Sequence, residues 1–177
     1  MRKIILVLAL LAGGASAPAA PTHACDVHGW GSAAQTQVRA SPSPGARLLG
    51  VLRQRPSEER GQEINGTYPE FRITGAQNGW FRITGTDYGD YGDPPPRWRW
   101  FRGTGWVRGD KIGGQVMAGR LHQGPSEKSR SRPYGKEADM VTIRRLLDCQ
   151  GLWVKIEADI GTGWIQGLCN NQVTTCS

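Results

Sequence analysis

Residues 103–109, Gly-Thr-Gly-Trp-Val-Arg-Gly, return almost unchanged at 161–167 as Gly-Thr-Gly-Trp-Ile-Gln-Gly. A chain of 177 residues that repeats such a phrase has either duplicated one structural unit or needs two copies of one contact. Other landmarks repeat with it. Val38-Arg39-Ala40-Ser41-Pro42-Ser43 matches Leu121-His122-Gln123-Gly124-Pro125-Ser126 in pattern, and Gln77-Asn78-Gly79-Trp80-Phe81-Arg82-Ile83 matches Gln150-Gly151-Leu152-Trp153-Val154-Lys155-Ile156. Three landmarks in the same order, twice, predict two tandem units. The first covers residues 25–114 and carries long loop inserts; the second covers residues 115–177.

Short runs of Val, Ile, Phe, Trp and Thr lie between turn signals drawn from 25 glycines and 11 prolines. Almost no sustained 3.6-residue periodicity interrupts them, so the expected class is all-β, a barrel or a sandwich. Predicted strands are 37–40, 47–52, 70–74, 80–84 and 105–108 in the first unit. The second unit is expected to hold 119–122, 140–147, 152–158 and 162–166, with a turn and boundary at 110–114. In GWFRI and LWVKI the alternation is expected to place the Trp with the hydrophobic residues on one face and to turn Arg82 or Lys155 outward. Gly-Thr-Gly is expected to supply the backbone freedom of a tight turn before the second Trp. Large aromatics suit a small core, each burying ~150–250 Å²; the alternative is that Trp106 and Trp164 edge a ligand groove.

The first residues read as a targeting segment. Arg2 and Lys3 precede an apolar run at 4–12 and then small residues and proline, the pattern of a secretory signal peptide over residues 1–24. Lipidation of Cys25 is disfavoured because Thr22-His23-Ala24 lacks the aliphatic residue such a site uses. An exported protein, periplasmic or extracellular, is therefore expected, with no transmembrane segment. In that compartment Cys25, Cys149, Cys169 and Cys176 are expected to form disulfides. Cys149 precedes one strand of the second unit and Cys169 follows the next, which favours Cys149–Cys169 with Cys25–Cys176. The competing arrangement joins Cys169 to Cys176 and Cys25 to Cys149. The net charge of +7 falls to +5 once residues 1–24, with Arg2 and Lys3 and no acid, are removed. Nucleic acid is an improbable partner for an exported chain, and anionic envelope polymers fit the charge better.

The ordered landmarks resemble those of the bacterial SH3 (SH3b) family. The matching residues are Val38-Arg39-Ala40-Ser41-Pro42-Ser43, Leu48-Leu49-Gly50-Val51-Leu52, Asn78-Gly79-Trp80-Phe81-Arg82-Ile83 and Thr104-Gly105-Trp106-Val107. The second unit keeps Gly124-Pro125-Ser126, Leu152-Trp153-Val154-Lys155-Ile156 and Gly163-Trp164-Ile165. The resemblance implies two tandem small SH3-like barrels, each partly open and five-stranded, that bind peptidoglycan or peptides or target an attached enzyme.

The most unusual stretch is 86–102, TDYGDYGDPPPRWRWFR. Aromatic surface interleaved with guanidinium groups suits stacking on sugar rings or hydrogen bonding to carboxylates. Candidate ligand contacts are therefore Tyr88, Tyr91, Arg97, Trp98, Arg99 and Trp100, joined by Trp106 and Trp164. Lys128, Arg130, Arg132 and Lys136 form a basic stretch, either a solvated loop or an anion-contacting surface. No metal or cofactor is expected, since no Cys-x-x-Cys or clustered His-Cys spacing suggests one. Catalysis needs a nucleophile with a positioned base; His28 and His122 stand alone and the cysteines are better used as disulfides. The expected function is a non-catalytic binding module for peptidoglycan or another anionic envelope glycan or peptide. A protein-interaction module, an inhibitor or accessory subunit with a periplasmic partner, is the second hypothesis.

Overall fold

The computed structural model describes residues 23–54, 58–59, 62–63, 67–88, 101–117, 119–135, 140–169 and 172. Among these the fold is all-β, with one 3-10 turn at Gly109–Lys111. No helix in them is long and apolar enough to cross a membrane. The strands of the first half are β1 (His23–Gly31), β2 (Gln35–Arg39), β3 (Leu48–Arg53), β4 (Glu58–Glu59), β5 (Gln62–Glu63), β6 (Glu70–Gln77), β7 (Trp80–Asp87), β8 (Gly105–Arg108) and β9 (Ile112–Gly113). Those of the second are β10 (Gln115–Met117), β11 (Gly119–His122), β12 (Ser131–Tyr134), β13 (Met140–Gln150), β14 (Trp153–Ala158) and β15 (Gly161–Gln166).

Two curled sheets result, with β4 and β5 pairing apart as a ribbon. The larger runs β3-β2-β8-β7-β6-β1-β9, and the smaller β12-β11-β15-β14-β13-β10. Leaving out β9, the two orders are the same, element for element. The correspondence extends to register: Arg82 faces Trp106 and Arg39 faces Trp106, as Lys155 faces Trp164 and His122 faces Trp164. Trp80 follows its turn opposite Gln77, as Trp153 follows its turn opposite Gln150. Even the bulges recur, two in β6–β7 and two in β13–β14.

The turn after the second strand of each sheet is also the same, bond for bond. Ala40 N donates to Arg47 O, Ser43 N to Ser41 O and Ala46 N to Ser43 O; in the second half Gln123 N, Ser126 N and Ser129 N donate to Arg130, Gly124 and Ser126 carbonyls. The Ser43 and Ser126 hydroxyls accept from the amides of Gly45 and Lys128. A serine oxygen bonded to the backbone two residues on fixes such a turn locally, which is why the Pro-Ser landmark recurs.

The alternation differs from expectation in one respect. Phe81, Ile83 and Val107 are fully buried, as are Val154 and Ile156, while Trp80 and Trp153 share the parity of Arg82 and Lys155. The tryptophans therefore lie on the outer faces with the cations, and the aliphatic residues and Phe81 fill the core. Successive side chains must point to opposite sides, so a Trp two residues from an Arg shares its face.

The core is continuous across the two sheets, running from Val27, Phe71 and Ile73 through Ile112 to Leu146, Val154 and Ile156. The junction is polar as well as apolar. Asp26 N donates to Gly151 O and Gly151 N to Ala24 O, both at 2.8 Å. Gln172 bonds the amide and carbonyl of Tyr68 and the Glu70 carboxylate.

The disulfide joins Cys25 to Cys149, whose Cα atoms lie 5.7 Å apart. This corrects the favoured Cys149–Cys169 pairing and agrees with the competing one. Cys169 lies beyond β15, where its amide and carbonyl bond Gln115 at the start of β10, while β1 runs beside Gly151 and brings Cys25 to Cys149. Cys169 is also disulfide-bonded, and the position of Cys176 lies outside the described residues. With its sulfur in a disulfide, Cys25 has no thiol to acylate.

Candidate functional site: cationic outer faces

The outer face of each sheet carries a transverse row. In antiparallel pairs, directly opposed residues project to one side, so β2, β8 and β7 line up Arg39, Trp106 and Arg82. β11, β15 and β14 likewise line up His122, Trp164 and Lys155. In both rows an indole sits between two positions that can carry positive charge. Trp106 is half-buried, whereas Trp164 is 8% exposed.

On the first sheet the row borders a cleft of about 320 Å³ lined by Gln35, Gln37, Arg39, Trp80, Arg108 and Lys111. Trp80, 9% exposed, is the large aromatic of this lining. Arg39 is held in place by bonds to Ala46 O at 2.7 Å and Gln37 Oε1 at 2.6 Å. Arg108 forms a forked pair with Asp110 at 2.9 and 3.1 Å. The cleft wall thus holds oriented cations beside an indole, a chemistry that suits carboxylates next to a sugar ring or peptide plane.

On the second sheet the His122 ring meets Trp153 edge-on, with centroids 4.9 Å apart and planes at 74°. Its Nδ1 lies 3.4 Å from Ser129 Oγ. A second cleft, about 600 Å³, opens beside it among His122, Arg130, Ser131, Arg132, Lys155 and Thr162. Arg130 and Arg132 of the predicted basic stretch come together here, whereas Lys136 lies outside the described residues.

The structure distributes the remaining candidates unevenly. Tyr88 is buried to 1% exposure and its hydroxyl donates to Arg53 O at 2.6 Å, so it braces β3 from inside. Tyr91, Arg97, Trp98, Arg99 and Trp100 lie outside the described residues. Phe101, at the end of that insert, packs against the core and covers Gly50 and Gly103. Arg39, Trp80, Arg108, His122 and Lys155 were not among the sequence candidates. The parity of Trp80 with Arg82, and of Trp153 with Lys155, was the signal that could have pointed to an outer-face site.

The Arg72 guanidinium, bonded to Asp26 at 2.8 Å, holds that carboxyl below its usual range. Burial pushes the Tyr134 phenol up.

No protein-family model matches the chain, and no curated protein matches it. Similar solved structures include an NlpC/P60 family protein from Bacillus cereus ATCC 10987, 11% identical, with a TM-score of 0.30 over 78% of this chain and 54% of that one. NlpC2 from Trichomonas vaginalis is 17% identical, with a TM-score of 0.28 over 85% of this chain and 51% of that one. The chain thus spans about half the length of either. The class these observations define is an all-β protein with a duplicated strand order and cationic, tryptophan-bearing outer faces.

Proposed function

We propose that the chain is a pair of SH3b-like modules, exported and non-catalytic, that hold an anionic envelope polymer such as peptidoglycan. The observation that carries this reading is the recurrence of one arrangement, a Trp between two cationic positions, at the same register on both sheets. A core requirement accounts for a repeated Trp on the inner face; it does not account for flanking cations on the outer one. The positive charge of the whole chain favours the same class of partner. The Cys25–Cys149 disulfide fits an oxidising compartment. In this role Arg39 and Arg82 engage wall-peptide carboxylates while Trp106 and Trp80 offer apolar surface to the glycan.

Sedimentation with purified sacculi tests this. The wild-type protein is expected to pellet with them, and Arg39→Gln combined with Arg82→Gln should weaken retention about tenfold, the scale of one to two lost charge-assisted hydrogen bonds. Wild-type protein left in the supernatant at low salt overturns the reading.

A further inference from the structure

The two sheets share a topology but finish one end differently. On the first sheet Gly50 stands opposite Val38, and the Phe101 ring closes over it: a Cβ at Gly50 would come within 2.9 Å of that ring, and one at Gly103 within 3.1 Å. On the second sheet the position opposite the equivalent Leu121 is Arg132. Its guanidinium crosses Gly161 and donates to the Ile160 carbonyl. The second sheet's 600 Å³ cleft opens at this end, and its walls carry His122, Arg130, Arg132 and Lys155 and, among the described residues, no acidic one.

Two acids on this sheet are already engaged. Glu157 pairs with Arg145 and Asp159 with Arg144. Arg130 and Lys155 have no ion-pair partner among the described residues. Uncompensated cations gathered around one concavity raise the local concentration of anions. Arg130, Arg132 and Lys155 come from the turn into β12, β12 itself and β14. A planar carboxylate accepts best from few directions, whereas a phosphate presents oxygens tetrahedrally to donors arriving from several sides. The Ser131 and Thr162 hydroxyls and the Gln123 amide line the same space. Its volume falls in the range of small-molecule sites, large enough for a sugar-sized group.

We infer that this cleft is an oxyanion site for a sugar-sized, phosphate-bearing ligand, distinct from the first sheet's cleft. The inference builds on the proposed anion-binding role and shares Lys155 with its second row, but the two are read by different substitutions, so either can fail alone: sacculus retention reads Arg39 and Arg82, and phosphate binding reads Arg130 with Lys155.

The test is titration calorimetry of the mature, disulfide-intact protein with pyrophosphate at low salt. Saturable binding is expected, weakened about tenfold or more by Arg130→Gln with Lys155→Gln. These two side chains bond nothing among the described residues, and an unchanged near-UV circular dichroism spectrum confirms that the variant is folded. The charge-matched control, Arg47→Gln with Arg53→Gln, should move affinity less than about twofold. Co-sedimentation with phosphatidylglycerol vesicles, lost in the same variant, identifies a lipid headgroup as the source of the phosphate; pyrophosphate binding without vesicle binding identifies a soluble one. Absence of saturable pyrophosphate binding overturns the inference. So does an equal loss in the control, or citrate binding as tightly as pyrophosphate.

Discussion

At the scale of single residues, the second glycine of each Gly-Thr-Gly serves contact, whereas Gly161 (φ 109°) serves the turn before β15. Gly105 and Gly163 lie inside β8 and β15, and neither is among the glycines with positive φ. A Cβ on Gly163 would sit 2.5 Å from Leu121 Cγ and 2.9 Å from His122 O; one on Gly105 would strike Val38 Cγ1 and stand 3.1 Å from Arg39 O. The repeat therefore records how closely β2 approaches β8 and β11 approaches β15. Gly163→Ala is expected to lower stability by about 1–3 kcal/mol through overpacking, read as a shift in urea midpoint. Gly45→Ala, where the added carbon meets only Ser43 Oγ at 4.0 Å, should change it by less than about 1 kcal/mol. Tyr134 supplies a pH-dependent prediction. Burial raises its folded pKa, so the stability it contributes is present below the ordinary tyrosine value and is lost as pH rises through the raised one. Tyr134→Phe should flatten that alkaline decline. At neutral pH it should cost about 1 kcal/mol for the lost bond to Met117 O.

At the scale of elements, the strands with clean alternation or a repeated landmark were legible. β8 and β11 match their expected spans residue for residue, and β7, β13, β14 and β15 differ from theirs mainly at the ends. What was missed has physical reasons. β1 mixes His, Asp and Gly with its buried Cys25, Val27 and Trp30, so its pattern is weak, and it starts inside the segment read as targeting sequence. β12 contains Pro133, which argues against a central strand, but β12 is an edge strand, where a missing donor is tolerated. The disulfide was misassigned because sequence order does not reveal that β1 runs beside Gly151 or that Cys169 pairs with Gln115 of β10. The β6–β7 turn places both Asn78 (φ 51°) and Gly79 (φ 74°) in the left-handed region, the conformation that Asn-Gly hairpins favour. Asn78→Ala should weaken this hairpin by about 1–2 kcal/mol, seen as faster amide exchange across β6 and β7 than across β13 and β14.

At the scale of the molecule, duplication has not produced two separate cores. Gly109, in the 3-10 turn, lies so close to β13 that a Cβ there would strike the Leu146 carbonyl. The Cys25–Cys149 bond then joins residues separated by 124 positions. Closing a loop of that length restricts the unfolded chain by up to about 5 kcal/mol. Reduction, or Cys25→Ser with Cys149→Ser, is expected to cost about 2–5 kcal/mol while leaving a single unfolding transition in fluorescence and circular dichroism. Two resolved transitions in the oxidised protein would show that the shared core does not couple the sheets.

The outer-face rows are the centre of this account, and the indole N–H resonances read them most directly. In a titration with soluble peptidoglycan fragments, the Trp106 and Trp164 signals should shift saturably. Trp30, packed against Gly113 beside the first sheet's core, should stay in place. Binding that leaves both Trp106 and Trp164 unmoved, or that shifts Trp30 as far as either, contradicts it.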